Sequence, residues 1–457
     1  MKTDEIIASI AETPARALDT AITDSSAAMR TVFSKTPATD ARAYWHALGP
    51  GITTGASDDD PSGIATYSQT GAQYGFQLLW LAPLTFPLMG VVQEMCARIG
   101  LATGRGLAGN IGKTYPRSVL YLVTGLLFFA NTFNLGANLG AVSKAFQMLV
   151  PGTPFVVAIL GFTVISLGLQ IFVSYSRYAK YLKYLTLVLL LYIATAFTLT
   201  DLPWDRIWRA TLIPSFQVSR ESLLLICAIL GTTISPYLFF WQTSQEVEER
   251  KVASNVKAFK RHHTLNRKDI KKMRFDVWAG MLLSNVVMFF IIITCAATLF
   301  PNGISINTAE DAALALKPLA GNQAYTLFAL GIIGTGLLSI PVLAGSAAYA
   351  FAESVKIKSG LNRKLHDAYG FYGVIIIAMG LGMVLNFVGL NPIKALIYSA
   401  VLNGLVAPVI LFFIVRISSS KEAMGKWRNK AYTTFIGWFV VALMTLAGGA
   451  AIISLLI

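Results

Sequence analysis

Apolar runs of about 20 residues, the length that crosses a bilayer as a helix, recur along the chain between short segments that hold most of the charge. This pattern predicts eleven membrane-spanning helices with no soluble catalytic domain. We place the spans at 44–70, 76–99, 117–149, 154–174, 181–200, 220–246, 275–300, 323–354, 367–390, 393–416 and 432–456. Residues 1–42 are polar and are predicted to form a cytoplasmic tail, to which we assign no function, and residues 43–457 form one transmembrane domain.

Composition supports a polytopic membrane protein. Hydrophobic residues make up 55% of the chain and charged residues 13%, and the mean hydropathy is +0.60, which is unusual for a soluble domain. The net charge is +14, but the basic residues concentrate in the loops after the even-numbered spans and before the fifth. Because basic loops stay on the cytoplasmic side, we predict a cell-membrane protein with a cytoplasmic N-terminus and an extracellular C-terminus. The charge is therefore a topology signal, and we expect no nucleic-acid partner.

The basic loop after the sixth span and the three cysteines give little information about function. The loop from Arg250 to Arg274 holds ten basic residues, which reflect either topology or a patch for anionic lipid. The cysteines Cys96, Cys227 and Cys295 fall inside apolar segments, which is typical of small packing residues and gives no metal-ligand spacing. We expect a monomer in the lipid bilayer, with no cofactor and no enzymatic activity.

The first span is interrupted near its centre by Asp58, Asp59, Asp60 and Pro61. A carboxylate at this depth is costly unless it faces a cavity or a cation. Pro61 has no amide hydrogen, so the carbonyl of Ser57, four residues earlier, loses its helical partner. An acid beside free carbonyls at a helix break is how many transporters build an ion site. The stretch therefore predicts a cation transporter.

The sixth span is interrupted in the same way. Pro236 lies at its middle and deprives the carbonyl of Thr232 of its partner. A proline kink without function is the alternative for either helix alone. Broken helices at corresponding positions of two five-helix halves, however, indicate an inverted repeat with a substrate site at the membrane midplane.

Further polar residues share helix faces within the spans. Span three carries three amides on one face and span ten carries another: Asn131, Asn134, Asn138 and Asn403. These amides either line a permeation path or satisfy one another by hydrogen bonds between helices. Beyond the second break, one face carries Gln242, Gln245, Glu246 and Glu249. This face either lines a cytoplasmic vestibule or is the wet end of the helix.

Four short motifs occupy the first two spans. They are Gly49-Pro50-Gly51, Asp60-Pro61-Ser62-Gly63, Gln69-x-Gly71-Ala72-x-x-Gly75-Phe76-x-Leu78-Leu79-Trp80 and Gln93-x-x-x-Ala97-Arg98-x-Gly100-x-x-Thr103-Gly104. They resemble the NRAMP divalent-metal transporters, and the resemblance extends over all eleven spans. It implies an all-α LeuT-type fold, in which two inverted five-helix repeats (spans 1–5 and 6–10) precede an eleventh helix. It also implies a substrate site between unwound helices one and six.

The departures from the family pattern concern the metal ligands. The family's first helix reads Asp-Pro-Gly-Asn, and both its Asp and its Asn bind metal; here Asp60 matches the former and Gly63 replaces the latter. The family's sixth helix reads Ala-x-x-Met-Pro-His. Thr232 matches the alanine whose carbonyl binds metal, while Ser235 stands for the methionine and Tyr237 for the histidine. The thioether that favours soft metals is therefore absent.

From the motifs and the resemblance we derive a set of site residues. Asp60 is the expected charged ligand, the carbonyls of Thr232 and Ser57 are expected oxygen contacts, and Ser235 and Gly63 are expected to set the size of the cavity. The expected pathway residues are Asp59, Thr233, Tyr237, Asn131, Asn134, Asn403, Gln242 and Glu246. Asp58 and Asp59 are alternatives for one pathway acid, and either could instead cap a half-helix.

The same departures favour one substrate. Oxygen ligands with extra space suit hydrated Mg²⁺, which gives up its water reluctantly, and this looks like the NRAMP-related magnesium transporters. Mn²⁺ is the other expected cargo. In span three, Asn131 and Asn134 match positions where the family has an aspartate and a glutamate that serve proton coupling. Since the membrane potential alone drives a divalent cation inward by roughly 4.6 kcal/mol at 100 mV, we predict uncoupled uptake by alternating access.

Three alternatives remain. The first is a proton-coupled Mn²⁺ or Fe²⁺ importer, the usual activity of the family. The second is a permease of the same fold for amino acids or other organic substrates; Asp60 argues against it, because a substrate carboxylate needs helix N-termini and no nearby acid. The third is a membrane scaffold or receptor that transports nothing.

Overall fold

A computed structural model describes residues 3–23, 49–173, 189–199, 202–215, 217–255 and 265–456. In this part of the chain all regular structure is helical, which confirms the predicted all-α class. The first ten helices are α1 (Thr3–Thr23), α2 (Pro50–Asp58), α3 (Pro61–Tyr74), α4 (Leu81–Thr103), α5 (Leu107–Thr114), α6 (Arg117–Leu149), α7 (Phe155–Phe172), α8 (Leu190–Thr198), α9 (Trp204–Leu212) and α10 (Arg220–Thr233). The others are α11 (Pro236–Asn255), α12 (Arg267–Thr298), α13 (Ala309–Ala313), α14 (Lys317–Ala320), α15 (Ala324–Ser354), α16 (Tyr369–Leu385), α17 (Pro392–Ser419), α18 (Lys421–Met424) and α19 (Ala431–Leu456).

The helices follow the predicted spans closely. Among the described residues, seven helical stretches are long and apolar enough to cross a membrane by length and composition, and the ninth span, α16, is apolar but shorter. Only part of the fifth predicted span, 181–200, is described, and it contains α8; residues 181–188 and 200 lie outside the described residues, as do residues 44–48 of the first span and residue 174 of the fourth. The basic loop 250–274 is described up to 255 and again from 265.

Both predicted helix breaks are present. In the first span, α2 ends at Asp58 and α3 begins at Pro61. In the sixth span, α10 ends at Thr233 and α11 begins at Pro236. Each proline starts the second half-helix, where its missing amide hydrogen costs nothing because the first amides of a helix have no intrahelical partner. The two prolines therefore end one half-helix and begin the next.

The sixth span is held against the tenth by a close approach of backbones. A Cβ atom added at Gly231 of α10 would overlap the carbonyl of Ala400 and the backbone of Gly404, both in α17. Small residues at such contacts let two membrane helices pack closely. Gly231 lies one residue before Thr232 and two before the end of α10, so α17 packs directly beside the second break.

The start of the predicted tail is an ordered helix. In α1, Ala11 and Ala15 are buried, and the helix packs against α16. Asp4 accepts a 2.8 Å hydrogen bond from Arg117 at the start of α6, and Asp19 accepts a 2.6 Å bond from the hydroxyl of Tyr369 at the start of α16. The helix therefore ties together the ends of the third and ninth spans.

Replacing Gly373 with leucine is expected to detach α1. A Cβ atom at Gly373 would collide with the backbone carbonyl of Ala11, so a larger side chain cannot coexist with the docked helix. We expect amide hydrogen exchange in residues 3–23 to become at least about tenfold faster, because a helix without its packing opens locally. The matched control is Gly380→Leu in the same helix, where an added Cβ meets nothing within 4 Å. Equal exchange rates in the two variants would contradict this account of the docking.

Candidate metal centre

The first break is organised by Asp60, which caps the N-terminus of α3. Its Oδ1 accepts hydrogen bonds from the backbone amide of Gly63 (2.9 Å) and from the hydroxyl of Ser62 (2.6 Å). An aspartate at this position satisfies amides that a helix start leaves without partners. Its side chain is fully buried. The sequence that interrupts the helix thus also supplies the acid that stabilises the next half.

Two amides of the third span complete the environment of Asp60. The side-chain nitrogen of Asn138 donates to its Oδ2 at 2.9 Å, and that of Asn134 donates at 3.4 Å. The hydroxyl of Ser399 in α17 in turn donates to the amide oxygen of Asn134 at 3.1 Å. Each carboxylate oxygen of Asp60 therefore has two neutral donors, and none of the four can carry a charge.

The sixth-span break faces the first. The hydroxyl of Tyr237 in α11 donates to the carbonyl of Ser57 at 3.0 Å, which joins the two broken helices directly. A Cβ atom at Gly63 would come 3.2 Å from the side-chain oxygen of Thr232 and 3.2 Å from the carbonyl of Asp58. The predicted residues of the two breaks are thus brought together.

The prediction of bare carbonyls was wrong in one respect. The sequence predicts that the carbonyls of Ser57 and Thr232 have lost their partners, and they have lost their helical ones. Tyr237 nevertheless donates to the first, and the hydroxyl of Ser235 lies 2.7 Å from the carbonyls of both Gly231 and Thr232. Side-chain hydroxyls take the place of the missing amides. Since a carbonyl oxygen has two lone pairs, each can still face a cation.

Three other predicted pathway residues, Asn131, Thr233 and Asn403, have no hydrogen bond to Asp60 in the described part of the chain. Asn131 lies apart from Asp60: it donates to the carbonyl of Leu343 (3.1 Å) and to the hydroxyl of Ser346 (2.8 Å) in the eighth span. Thr233 donates to a carbonyl of its own helix, that of Ile229, at 2.9 Å. Asn403 is fully buried, and both its amide atoms lack a hydrogen-bond partner among the described residues. It lies one helical turn after Ser399, on the same face of α17, which is turned towards the third span.

Gln242 and Glu246 form a buried chain with the first half-helix. The side-chain oxygen of Gln242 accepts from Thr54 of α2 at 2.5 Å, and its nitrogen donates to Glu246 at 2.9 Å. Glu246 is only 3% exposed, so the interpretation as the wet end of a helix was wrong for the part of this face up to Glu246, while Glu249 is half-buried. Nearby, Asp276 of α12 accepts a 2.6 Å hydrogen bond from the amide of Gly51, at the start of α2.

Asp58 and Asp59 lie on the other side of the break, towards α12. The hydroxyl of Ser284 lies 2.6 Å from Asp58 Oδ2 and 3.1 Å from Asp59 Oδ1. Both side chains are buried. Across residues 49–173, 217–255 and 265–456, no lysine, arginine or histidine nitrogen lies within 4.0 Å of any of the three aspartates.

The described residues contain no group of three or more His, Cys, Asp or Glu side chains arranged to hold a metal. Any ion at the break must therefore use carbonyl, hydroxyl or amide oxygens, or its own water, besides one or two carboxylates. Sequence reasoning missed Ser62, Ser284 and Ser399, and did not select Asn138. Asn138 could have been found, because it lies four residues after Asn134 on the same helix face, whereas nothing in the sequence points to Ser284.

Comparisons with known proteins point to one family. A family model described as natural resistance-associated macrophage protein-like (Nramp) matches residues 51–454. A divalent metal cation transporter MntH of Clostridium acetobutylicum is 27% identical over 414 residues, which cover 87% of this chain and 88% of the relative. One from Mycobacterium tuberculosis is 27% identical over 413 residues, covering 89% and 91%.

Solved structures share the fold. A manganese transporter of Eremococcus coleocola matches with a TM-score of 0.72 at 18% identity, covering 91% of this chain and 88% of that one. The transporter MhsT, solved in complex with L-phenylalanine, matches with a TM-score of 0.55 at 14% identity, covering 88% and 98%. At such identities the likeness establishes the fold alone. It confirms the predicted LeuT-type architecture.

Proposed function

This chain belongs to the Nramp family, and on that premise we propose that it carries a hydrated divalent cation, Mg²⁺ in preference to Mn²⁺, across the membrane without proton coupling. The observation that carries the proposal is the set of three consecutive buried aspartates at the first break, which have no basic partner in the described part of the chain. Burying a carboxylate without a compensating charge is costly. A divalent cation as substrate supplies that charge.

The donor set favours a hard cation. Asp60 contributes a carboxylate, and the facing break contributes the carbonyl of Thr232 and the hydroxyl of Ser235. Neither position opposite Asp60 carries sulfur or imidazole, since Ser235 and Tyr237 stand there. Oxygen sites suit Mg²⁺ and Mn²⁺, whereas softer ligands select other transition metals.

Unsatisfied amides favour an ion that keeps its water. The side-chain oxygen of Asn138, which contacts Asp60, and both amide atoms of Asn403 are buried without partners among the described residues. Such groups are normally satisfied by water. The four donors on Asp60 leave it no free acceptor site, and the longest of these bonds, 3.4 Å from Asn134, is the one that a metal-bound water displaces most easily. Contact through water agrees with the reluctance of Mg²⁺ to dehydrate.

Neutral amides favour uncoupled transport. Asn134 and Asn138 contact Asp60 where a titratable side chain would be needed to pass a proton onward. An inside-negative potential of 100 mV supplies roughly 4.6 kcal/mol for a divalent cation, enough for more than about a thousandfold accumulation. With the N-terminus in the cytoplasm, as the basic loops favour, uptake needs no second driving ion.

A flux assay in proteoliposomes tests the proposal. We expect Mg²⁺ uptake to depend on an inside-negative potassium diffusion potential and to leave a lumenal pH dye unchanged. The matched control is empty liposomes under the same potential. Uptake of Mn²⁺ with lumenal acidification and no competition from Mg²⁺ would instead support the proton-coupled importer, and transport of an amino acid would support the permease.

A further inference from the structure

Asp58 and Asp59 share one hydroxyl group. Ser284 lies within hydrogen-bond distance of both carboxylates, at 2.6 and 3.1 Å, but a serine hydroxyl has one hydrogen to donate. At any moment one of the two carboxylates therefore faces only the oxygen of Ser284. The two carboxylates and the hydroxyl of Ser284 therefore meet with only the hydroxyl hydrogen available for a hydrogen bond between them.

Other carboxylates that are buried or half-buried in this chain are satisfied differently. Glu94 accepts three hydrogen bonds of 2.9–3.0 Å, from Arg274 and the indole of Trp278. Glu353 accepts two backbone amide bonds, of 2.7 and 2.9 Å. Asp60 accepts four bonds from neutral donors. Glu94, Glu353 and Asp60 thus each have at least two donors, whereas the pair at Ser284 shares one.

A separate atom points to a missing ligand. Oδ1 of Asp58 is fully buried and has no hydrogen-bond partner in the described part of the chain. An unpaired buried acceptor of this kind is unfavourable, and more so when it is charged. Asp58 also ends α2, where the partial negative charge of the helix C-terminus adds to that of the carboxylates.

We propose that Asp58, Asp59 and Ser284 form a second cation site on the α12 side of the break, distinct from the position beside Asp60, which faces the third span. The inference rests on the proposed function in that the same hard divalent cation occupies both positions. Two carboxylates and a hydroxyl, with the remaining positions filled by water, match the way Mg²⁺ is usually bound. The second site gives the ion a station next to the one at Asp60, between α2 and α12.

Counting bound ions tests this site without any transport assay. The probe is Mn²⁺ added to the purified full-length chain in detergent, with free hexaaqua Mn²⁺ measured by electron paramagnetic resonance. We expect two ions per wild-type chain. Asp58→Asn removes one of them, and Ser284→Ala, which keeps both carboxylates, weakens one by about tenfold. Ser143→Ala, a buried serine that donates to its own helix at Leu139, is the control that keeps two.

The variants also separate this inference from the proposed function. Asp60→Ala retains one ion at the Asp58 pair even though transport is lost. One ion per wild-type chain, unchanged in Asp58→Asn, would overturn the second site and leave the Asp60 proposal standing; the pair then shares a proton instead. Two ions per chain in a protein that fails to transport Mg²⁺ would overturn the proposed function alone.

Discussion

Asp60→Ala is expected to lower Mg²⁺ uptake into proteoliposomes by at least about a hundredfold, which corresponds to roughly 2.7 kcal/mol. Asp60 accepts a hydrogen bond from Asn138 of the third span. It also accepts one from the amide of Gly63, which lies beside Thr232 of the sixth-span break. Without its charge, an ion at midplane loses its closest counter-charge in a medium where charges are costly. Initial rates at a fixed potential, normalised to the protein reconstituted, give the comparison.

The alanine also leaves amides and a hydroxyl without an acceptor, so a folding control is needed. Asp60→Asn keeps the shape and accepts hydrogen bonds through its oxygen, and it should fold while remaining inactive. Asp367→Asn removes a carboxylate that is 48% exposed, and it should transport as the wild type does. Normal Mg²⁺ uptake by a folded Asp60→Asn variant would contradict the assigned role.

Combining Gly63→Asn with Ser235→Met is expected to reverse the metal preference. A side chain at Gly63 enters the space beside Thr232 and the carbonyl of Asp58, and the methionine places a polarisable thioether at the opposite break. The smaller cavity and the added metal-binding sulfur both favour an ion that has lost part of its hydration shell. We expect Mg²⁺ uptake to fall by about tenfold or more, since Mg²⁺ dehydrates reluctantly, while Mn²⁺ uptake is retained.

Competition between the two metals in one proteoliposome preparation measures this change. Each single variant shows whether the space or the sulfur dominates. Leu381→Met, at an exposed position of the ninth span, adds a thioether away from the breaks and should leave the preference unchanged. An unaltered ratio of Mg²⁺ to Mn²⁺ uptake in the double variant would refute the argument from site volume and ligand hardness.

The fold could be predicted from the sequence because its signals are local. Apolar runs set the spans, and Pro61 and Pro236 mark the breaks because a residue without an amide hydrogen cannot continue a helix. The docking of α1 could not be predicted. It requires that residue 373 be a glycine, because any side chain there would collide with the backbone carbonyl of Ala11. These two residues are far apart in the chain, and nothing in residues 1–42 indicates the contact.

The proposed site could be predicted only in part. Asp60, Gly63 and Thr232 were identified because each lies at or beside a break, and they lie together. The hydroxyls of Tyr237 and Ser235 that reach the orphaned carbonyls, and the bond of Asn138 to Asp60, depend on rotamers and on the packing of separate helices. The pattern of amides gave the correct face of the third span but not which amides touch the acid.

Diffraction from crystals grown with Mn²⁺, recorded at an energy where manganese scatters anomalously, tests the central claim most directly. The account predicts an anomalous peak between Asp60 and the Thr232 side of the sixth-span break, within about 5 Å of the carboxylate, which is the reach of an ion that binds through one water. If the protein transports Mn²⁺ but its crystals show no anomalous peak between the two broken helices, the account is contradicted.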